Sequence, residues 1–387
     1  MESLKINYIM YSTGRTGGNR TLLNFMNELV KLGHEVSITT MYYDPWFPLS
    51  SDVKVISKKT RIDLYYLYGM QRINPRNMVH EHMSFLNKFM RLVPKVDINV
   101  ATYSPTAYVA SLKSMDGSTP FYHMQHFETI VFDDPLMKKF VFDTYFLPIY
   151  KIANSIWLRD KLFDITGENY QVVNPAIEHD IFYPRNPQCN ADEKTGLQGK
   201  ENNRIDIVAL GKGGWKNAVG IYDAVSRVRL AVRDKKIVLH YFGLKPLKSI
   251  PFDGKDTVFH KNPSDEELAR LYSNSDIQIT FSEAESFPLP PLEAMACGCA
   301  VITTPYGTED YAVDGENVII VKPNDVNMLT DKLKMLIQDE HTRKRLGENG
   351  IKTSDRFNYP SQTKILEKEM KEAIDENAVK NWRFKIL

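Results

Sequence analysis

The stretch SEAESFPLPPLEAMACGCAVITTP, from Ser282 to Pro305, gives a clear local indication of how the chain folds. It continues from DIQITFS, an apolar run typical of a buried strand. Pro290 and Pro291 fit only the start of a helix, because proline has no N–H to give to a helix interior. We expect Gly298 to end that helix. The stretch therefore predicts a strand, a loop and a helix in succession.

A pattern of strand, loop, helix and following strand occurs at two places in the chain. Near the start, KINYIMYS is followed by the loop TGRTGGNR, a helix with apolar residues at helical spacing from Leu22 to Leu32, and the strand EVSITT. From Arg204, RIDIVALG is followed by the loop KGGWKN, an amphipathic helix and the strand KIVLHYFG. Each is a βαβ unit, so the sequence predicts an α/β protein with two Rossmann-like domains.

A polar segment separates the two predicted domains. Residues Asn186–Arg204 carry glycine and proline without apolar periodicity, which is typical of a linker or surface loop. We therefore predict a first domain at 1–183, a linker or surface loop at 184–203 and a second domain at 204–360. The remaining residues, 361–387, are expected to form a C-terminal helix that packs back on the first domain.

Charge and composition exclude several classes of protein. The 387 residues include 49 Lys and Arg against 48 Asp and Glu, a net charge of +1, so no global field favours nucleic acid. No spanning segment or signal peptide is recognisable, which predicts a cytoplasmic protein. Contact with the inner face of a membrane stays open, since Asn77–Lys95 fits either a basic amphipathic helix on a bilayer or an ordinary helix on the first sheet.

Two glutamates in the opening stretch are candidate ligand groups. Glu285 follows the strand and is expected at its carboxyl end, where open α/β sheets bind ligands. Glu293 is expected in the first turn of the following helix. Ionised carboxylates accept hydrogen bonds from hydroxyl groups, so the pair suits a ligand with two polyhydroxyl parts. The alternative is a helix N-terminal charge and a surface glutamate.

The loops at the two strand–helix junctions are candidate anion sites. In GKGGWKNAV, Lys212 and Lys216 stand at a helix N-terminus, a combination that suits a phosphate or diphosphate. A solvated basic loop is the alternative. In the first domain, Gly17 and Gly18 would let a ligand approach the backbone of the loop TGRTGGNR.

A histidine-containing segment of the first domain is the third candidate. FYHMQHFETIVFDD places His123, His126 and Glu128 after the apolar start of a strand. One of them could reach a ligand as a hydrogen-bonding or proton-handling group, although a structural role is the commoner fate of a single histidine.

Taken together, these segments resemble the retaining glycosyltransferases of family 4. The resemblance rests on TGRTGGNR, on VVNPAIEHDIFYP and above all on the E-x7-E pattern ESFPLPPLEAMACGCAVITT, with GTEDYAVDGENVIIVKPND and RKRLGENG downstream. It implies the GT-B fold, two facing Rossmann-like domains with an interdomain cleft, of which the first serves the acceptor and the second the donor. The implied donor is a nucleotide diphosphate sugar, and the implied acceptor is a glycan or a lipid-linked intermediate.

The resemblance also implies roles for single residues. Glu285 would bind the donor sugar hydroxyls and Glu293 the nucleotide ribose. Lys212 and Lys216 would hold the diphosphate, and His126 would contact the sugar near the reacting carbon. Gly17 and Gly18 would approach the phosphates or the acceptor, and Thr304 would lie near the nucleotide.

The chain departs from the family pattern at two places. Lys212 stands where the family usually has arginine. Ser286 and Pro288 stand where glycines are common, so the amides of Phe287 and Leu289 would have to serve the donor. The family is metal-independent, and no D-x-D element occurs in a plausible donor loop, so no metal or cofactor is expected. Alternative functions are a nucleotide-sugar epimerase on the same fold and a non-catalytic two-domain sugar-binding protein.

Overall fold

The computed structural model describes residues 3–57, 86–87, 89–185 and 203–386. The predicted linker lies almost entirely outside these residues, and so does a large part of the predicted amphipathic stretch Asn77–Lys95. The described chain forms two compact units, residues 1–175 with 359–387 and residues 176–358.

The first unit is built on a parallel sheet of seven strands. Its strand order is β3-β2-β1-β4-β5-β6-β7, so the chain moves outward in one direction from β1 and then returns to build the sheet from β4 in the other. The strands are β1 Lys5–Ser12, β2 Glu35–Tyr42, β3 Lys54–Ser57, β4 Ile98–Ala101, β5 Thr119–Met124, β6 Tyr150–Ala153 and β7 Gln171–Val172.

Helices cover this sheet, because its central strands are buried on both faces and need apolar partners on each. Helix α1 begins at Gly17 because the side chain of Thr16 accepts a hydrogen bond from the Asn19 N–H at 3.1 Å. The helices of this unit are α1 Gly17–Lys31, α2 Ser104–Lys113, α3 Pro135–Phe142, α4 Ile156–Thr166 and the last helix of the chain, α10 Tyr359–Ile386. Helix α10 packs against α1 and β5.

The second unit repeats the arrangement with six parallel strands. Its order is β10-β9-β8-β11-β12-β13, which is the doubly wound order of Rossmann-like sheets. The strands are β8 Arg204–Leu210, β9 Lys236–Gly243, β10 Thr257–Lys261, β11 Ile277–Ile279, β12 Ala300–Thr303 and β13 Ile319–Ile320. The helices are α5 Ala218–Ala231, α6 Asp265–Asn274, α7 Leu289–Ala296, α8 Val326–Gln338 and α9 Glu340–Ser354.

The second unit begins at Ala176, which differs from the boundaries expected at 183 and 204. Residues 176–182 belong to it because the side chains of Ile177 and Phe182 are buried in its core. The N–H of Ile177 also donates to the Phe357 carbonyl at 3.2 Å. The apolar residues before the polar linker therefore belong to the domain that follows it.

The fold class predicted from the sequence is confirmed, since both units are Rossmann-like and both sheets are parallel. Among the described helices, none has a stretch long and apolar enough to cross a membrane.

Candidate functional site

The candidate site of the second unit lies at the carboxyl ends of β8 and β11. These neighbouring strands are followed by connections that leave in opposite directions, and the resulting crevice is where open α/β sheets bind ligands. A cavity opens at this place, and its lining includes Leu210, Lys216, Ser282, Glu285 and Pro288. Two of the predicted ligand groups, Lys216 and Glu285, therefore face one cavity.

The loop after β8 is a tight turn that places α5. Gly214 has φ +63° and Asn217 has φ +49°, a left-handed conformation that asparagine tolerates better than most residues. The side chain of Asn217 then caps α5 by accepting a hydrogen bond from the Gly220 N–H at 3.0 Å. The loop is compact, since the Ala218 N–H donates to the Lys212 carbonyl at 3.3 Å.

The two lysines of this loop have different partners. The ammonium group of Lys216 forms an ion pair with the Glu285 carboxylate, and the two side chains are 19% and 10% exposed. The ammonium group of Lys212 lies 5.2 Å from the ring centroid of Trp215, a cation–π contact on an indole that is 43% exposed. One lysine is thus neutralised by a carboxylate, whereas the other rests on an aromatic surface.

The loop after β11 is held in place on two sides. The Glu283 N–H donates to the Trp215 carbonyl at 2.8 Å, which joins this loop to the one after β8. The Thr304 hydroxyl, after β12, donates to the Ser282 carbonyl at 2.8 Å. The Glu285 backbone is therefore placed before any ligand arrives.

Gly307 fixes the same loop from behind. Its φ is +71°, and a Cβ at this position would come within 2.6 Å of the Ser286 backbone and 2.7 Å of the Glu285 carbonyl oxygen. Real Cβ atoms do not approach backbone so closely, so only glycine fits. The sequence places this glycine in the family-like run after β12, but only the structure shows the contact that requires it.

The N-terminus of α7 has few hydrogen-bond donors. The four N–H groups that a helix leaves without an internal acceptor would here belong to residues 288–291. Three of these are prolines, Pro288, Pro290 and Pro291, so only the Leu289 N–H remains. Because the positive end of the helix dipole resides on such N–H groups, α7 is a weak anion site.

The side chains around that terminus are buried. Ser286, Phe287 and Leu289 are each less than 10% exposed, and the Phe287 ring packs against Tyr311 and Phe357. A ligand could therefore meet Phe287 and Leu289 through their backbone amides and not through their side chains. The sequence prediction assigned the same two amides to the donor, and it stays a prediction.

The sequence predicted that Glu293 lies in the first turn of α7, and this prediction is wrong. The helix begins at Leu289, so Glu293 is its fifth residue. Its side chain is 4% exposed, and one carboxylate oxygen lies 3.4 Å from the Tyr272 hydroxyl. Burial, with the nearby charge of Glu293, raises the pKa of Tyr272 well above its usual value. Glu293 thus has a partner within the fold, and its predicted contact with a ribose stays a prediction.

Gly17 and Gly18 are helical residues and not loop residues, since α1 begins at Gly17. The error in the sequence interpretation has a local cause, because Thr16 supplies the cap and the chain can enter the helix directly on glycine. The side chain of Asn19 holds the preceding loop by donating to the carbonyls of Ser12 at 3.0 Å and Gly14 at 2.7 Å. Both glycines are therefore in the first turn of a helix after β1, the place that Ala218 and Val219 occupy after β8.

The structure separates the three candidates near β5. His123 lies within the strand, is fully buried, and has its pKa lowered to about 3 by burial, so it stays neutral in the core. Glu128 is 4% exposed and accepts hydrogen bonds from the Ser104 N–H at 2.7 Å and the Tyr122 hydroxyl at 3.4 Å. His126 is half-buried after the end of β5.

These surroundings give Glu128 a structural role. Its carboxylate satisfies an N–H of the first turn of α2, and burial raises its pKa to about 7. Of the three candidates, His126 has the position and exposure that a ligand group requires. The sequence could not separate them, because the exposure of a residue just past a strand end depends on the neighbouring loops.

A comparison with protein families finds a match within the second unit. Residues 192–353 match the family model described as "Glycosyl transferases group 1". The predicted resemblance to glycosyltransferases is confirmed. The matched segment contains both lysines of the β8 loop, Glu285, Glu293 and Thr304.

A curated relative agrees with this match. The MMP alpha-(1->4)-mannosyltransferase of Mycolicibacterium hassiacum is 31% identical over 196 residues, which cover 49% of this chain and 44% of that protein. The chain thus aligns with less than half of the relative's length.

Two solved structures resemble nearly the whole chain. Sucrose-phosphate synthase from Thermosynechococcus elongatus superposes with a TM-score of 0.74 at 15% identity, over 96% of this chain and 100% of that one. Anabaena HepE in complex with UDP-glucose gives a TM-score of 0.71 at 14% identity, over 95% and 100%. At such low identity these likenesses establish the fold, which is that of GT-B proteins.

Proposed function

We propose that this chain transfers a glycosyl unit from a nucleotide diphosphate sugar to an acceptor hydroxyl, with retention of the anomeric configuration. The observation that supports this most is the pairing of Lys216 with Glu285 at one cavity. A cation and a hydroxyl-accepting carboxylate side by side match a ligand in which a sugar is bonded directly to a diphosphate.

Lys212 and Lys216 carry the positive charge in this proposal. When the glycosidic bond to the diphosphate breaks, negative charge grows on the leaving oxygen, and fixed cations and N–H groups stabilise it. Because α7 offers one free N–H at its start, the two lysines bear most of this task. The proposal includes neither a metal ion nor any other cofactor.

The remaining donor contacts follow the sequence prediction. Glu285 accepts hydrogen bonds from the sugar hydroxyls, and the Glu293 carboxylate accepts them from the ribose in place of the Tyr272 hydroxyl. The amides of Phe287 and Leu289 serve the donor beside Ser286 and Pro288, and Thr304 lies near the nucleotide, where its hydroxyl holds the Ser282 carbonyl.

The first unit supplies the other groups. His126 contacts the donor sugar near the reacting carbon, and the N–H groups of Gly17 and Gly18 meet the phosphates or the acceptor. The acceptor is a glycan or a lipid-linked intermediate. The relative named above is a mannosyltransferase and HepE binds UDP-glucose, so nucleotide-activated hexoses are the first donors to try.

Binding measurements on two variants test the donor site. Lys216→Ala and Glu293→Ala should each weaken the affinity for the nucleoside diphosphate at least about tenfold, since each removes a charged hydrogen-bonding group. Lys255→Ala, an exposed lysine of the same unit, is the matched control. Affinity unchanged in both site variants would refute the assignment.

The reaction itself is tested with a panel of UDP, ADP and GDP sugars and sugar acceptors. Product formation that requires an acceptor, with the donor's anomeric configuration retained by proton NMR, is the expected result. Conversion of the donor to another sugar nucleotide without acceptor would indicate an epimerase instead. Binding of free sugar without nucleotide would indicate a sugar-binding protein.

A further inference from the structure

The ion pair joins two side chains that would both bind the donor. Lys216 would bind its diphosphate, and Glu285 would bind its sugar hydroxyls. Both side chains are mostly buried, so their interaction is less screened by salt than that of a surface pair. The pair is also preformed. The Glu283–Trp215 backbone hydrogen bond joins the two loops, and Gly307 packs against the backbone of Glu285 and Ser286.

We propose that Glu285 competes with the bound nucleoside diphosphate for Lys216 and thereby drives product release. This inference rests on the proposed function and extends it from binding to turnover. While the sugar is attached, its hydroxyl groups satisfy the Glu285 carboxylate, and the Lys216 ammonium is free to turn to the diphosphate. Once the sugar has left, the carboxylate loses those hydrogen bonds and takes the ammonium back.

Electrostatic repulsion explains why Glu285 would weaken the binding of the nucleoside diphosphate. A diphosphate placed beside Lys216 lies close to the Glu285 carboxylate as well, and like charges at such a distance repel. A carboxylate that is buried and has lost its partners is costly to keep charged, so it favours the return of the lysine. Glu285 therefore weakens the binding of the nucleoside diphosphate more than it weakens the binding of the intact donor.

The neighbouring groups do not fully replace Lys216 as a partner for the diphosphate. Three of the four N-terminal N–H positions of α7 are prolines, so this helix offers a diphosphate only the Leu289 N–H. Lys212 rests on Trp215 and forms no ion pair with any residue that the structure describes. The competition thus acts on one lysine, while the other holds a constant charge.

The variant Glu285→Gln tests the proposal, because glutamine keeps the size and the hydrogen-bonding oxygen of glutamate but removes the charge. We expect its dissociation constant for the nucleoside diphosphate, first measured with UDP, to fall about tenfold. The affinity for the sugar nucleotide, first measured with UDP-glucose, should improve less or become weaker. The preference for the donor over the product should therefore fall, by about tenfold where the donor affinity is unchanged.

Glu283→Gln is the matched control, since it removes the same charge from the same loop at an exposed side chain that forms no ion pair with a described residue. It should change neither affinity by more than about twofold. The same Glu285→Gln change made in a Lys216→Met background should no longer strengthen UDP binding. Melting temperatures confirm that every variant is folded.

Three results would overturn the inference. Glu285→Gln could leave UDP affinity at the control value while donor affinity falls, and Glu285 would then only position the sugar. The strengthening could persist without Lys216, and a general field effect would then explain it. If the native chain binds none of the nucleoside diphosphates in the panel, the proposed function fails first, and the inference fails with it.

Discussion

Two buried glutamates occupy comparable places in the two units of this protein. Glu128 follows β5 in the first sheet and Glu285 follows β11 in the second, and both residues are less than 10% exposed. Their partners differ. Glu128 is held by a backbone N–H and a tyrosine hydroxyl, whereas Glu285 is held by the ammonium group of a lysine.

The difference separates a structural carboxylate from one suited to a ligand. The N–H that Glu128 accepts from belongs to a helix terminus, which stays in place in the folded protein. The lysine that pairs with Glu285 is on a long, rotatable side chain that an anionic ligand can recruit. Burial and residue type are the same in both cases, so the kind of partner decides what each glutamate can do.

Among the substitutions considered, the largest effect on stability and on donor binding is expected at Gly307, which packs against the backbone of Glu285. Gly307→Ala would add a Cβ within 2.6 Å of the Ser286 backbone at a φ of +71°. It should lower the free energy of unfolding by about 3 kcal/mol or more and abolish donor binding, since the loop must move. Chemical denaturation and calorimetric titration with the donor measure both.

Gly315→Ala is the control for Gly307→Ala. Gly315 also has a left-handed φ, +74°, but an added Cβ would meet nothing within 4 Å. Only the conformational cost of about 1 kcal/mol should remain, with donor binding retained. Equal effects at the two glycines would mean that the contact behind Glu285 has no special importance.

The second effect concerns Glu128 and pH. Its pKa is raised to about 7 by burial, from the ordinary value of 4.5, so the folded state holds the proton more tightly than the unfolded state does. The stability linked to this proton is complete below pH 4.5 and is lost as the pH rises through 7. Relative to Glu128→Gln, the native protein should lose roughly 3 kcal/mol of unfolding free energy over that range.

Denaturant titrations of the native chain and the Glu128→Gln variant at pH 5 and pH 8 measure this difference. The exposed Glu283, replaced by glutamine, serves as the reference and should show no such trend. A gap between the native chain and Glu128→Gln that stays constant with pH would mean that Glu128 is ionised at pH 5 too, which would bring it closer in character to Glu285.

The smallest effect is expected at Thr304. Its hydroxyl donates to the Ser282 carbonyl at 2.8 Å in a buried setting. Thr304→Val keeps the shape but removes the donor, so it should cost about 1 to 2 kcal/mol of unfolding free energy. Donor affinity should weaken only a few-fold, because Gly307 and the Glu283–Trp215 hydrogen bond still hold the loop. A loss of binding as large as that in Gly307→Ala would show that Thr304 itself meets the ligand.

Much of the fold and part of the site could be predicted from the sequence. The apolar runs, the helix-starting prolines and the glycines at helix ends specify parallel strands and helices locally, and their order specifies two Rossmann-like units. The loops after β8 and β11 were also recognisable as ligand loops, because the carboxyl end of a strand is a property of chain direction. The start of α1 at Gly17 and the fifth-residue position of Glu293 were missed, since one cap residue can shift a helix boundary.

The residue types, the order of the strands and helices and the loss of N–H donors at Pro288, Pro290 and Pro291 are local properties of the chain, so they can be read from the amino-acid sequence. The partners of the charged side chains depend on the three-dimensional fold. It brought Lys216 to Glu285 across 69 residues, placed Gly307 behind that glutamate, and buried Glu128 against the start of α2. Which charge meets which depends on packing between segments distant in sequence, and no local pattern records it.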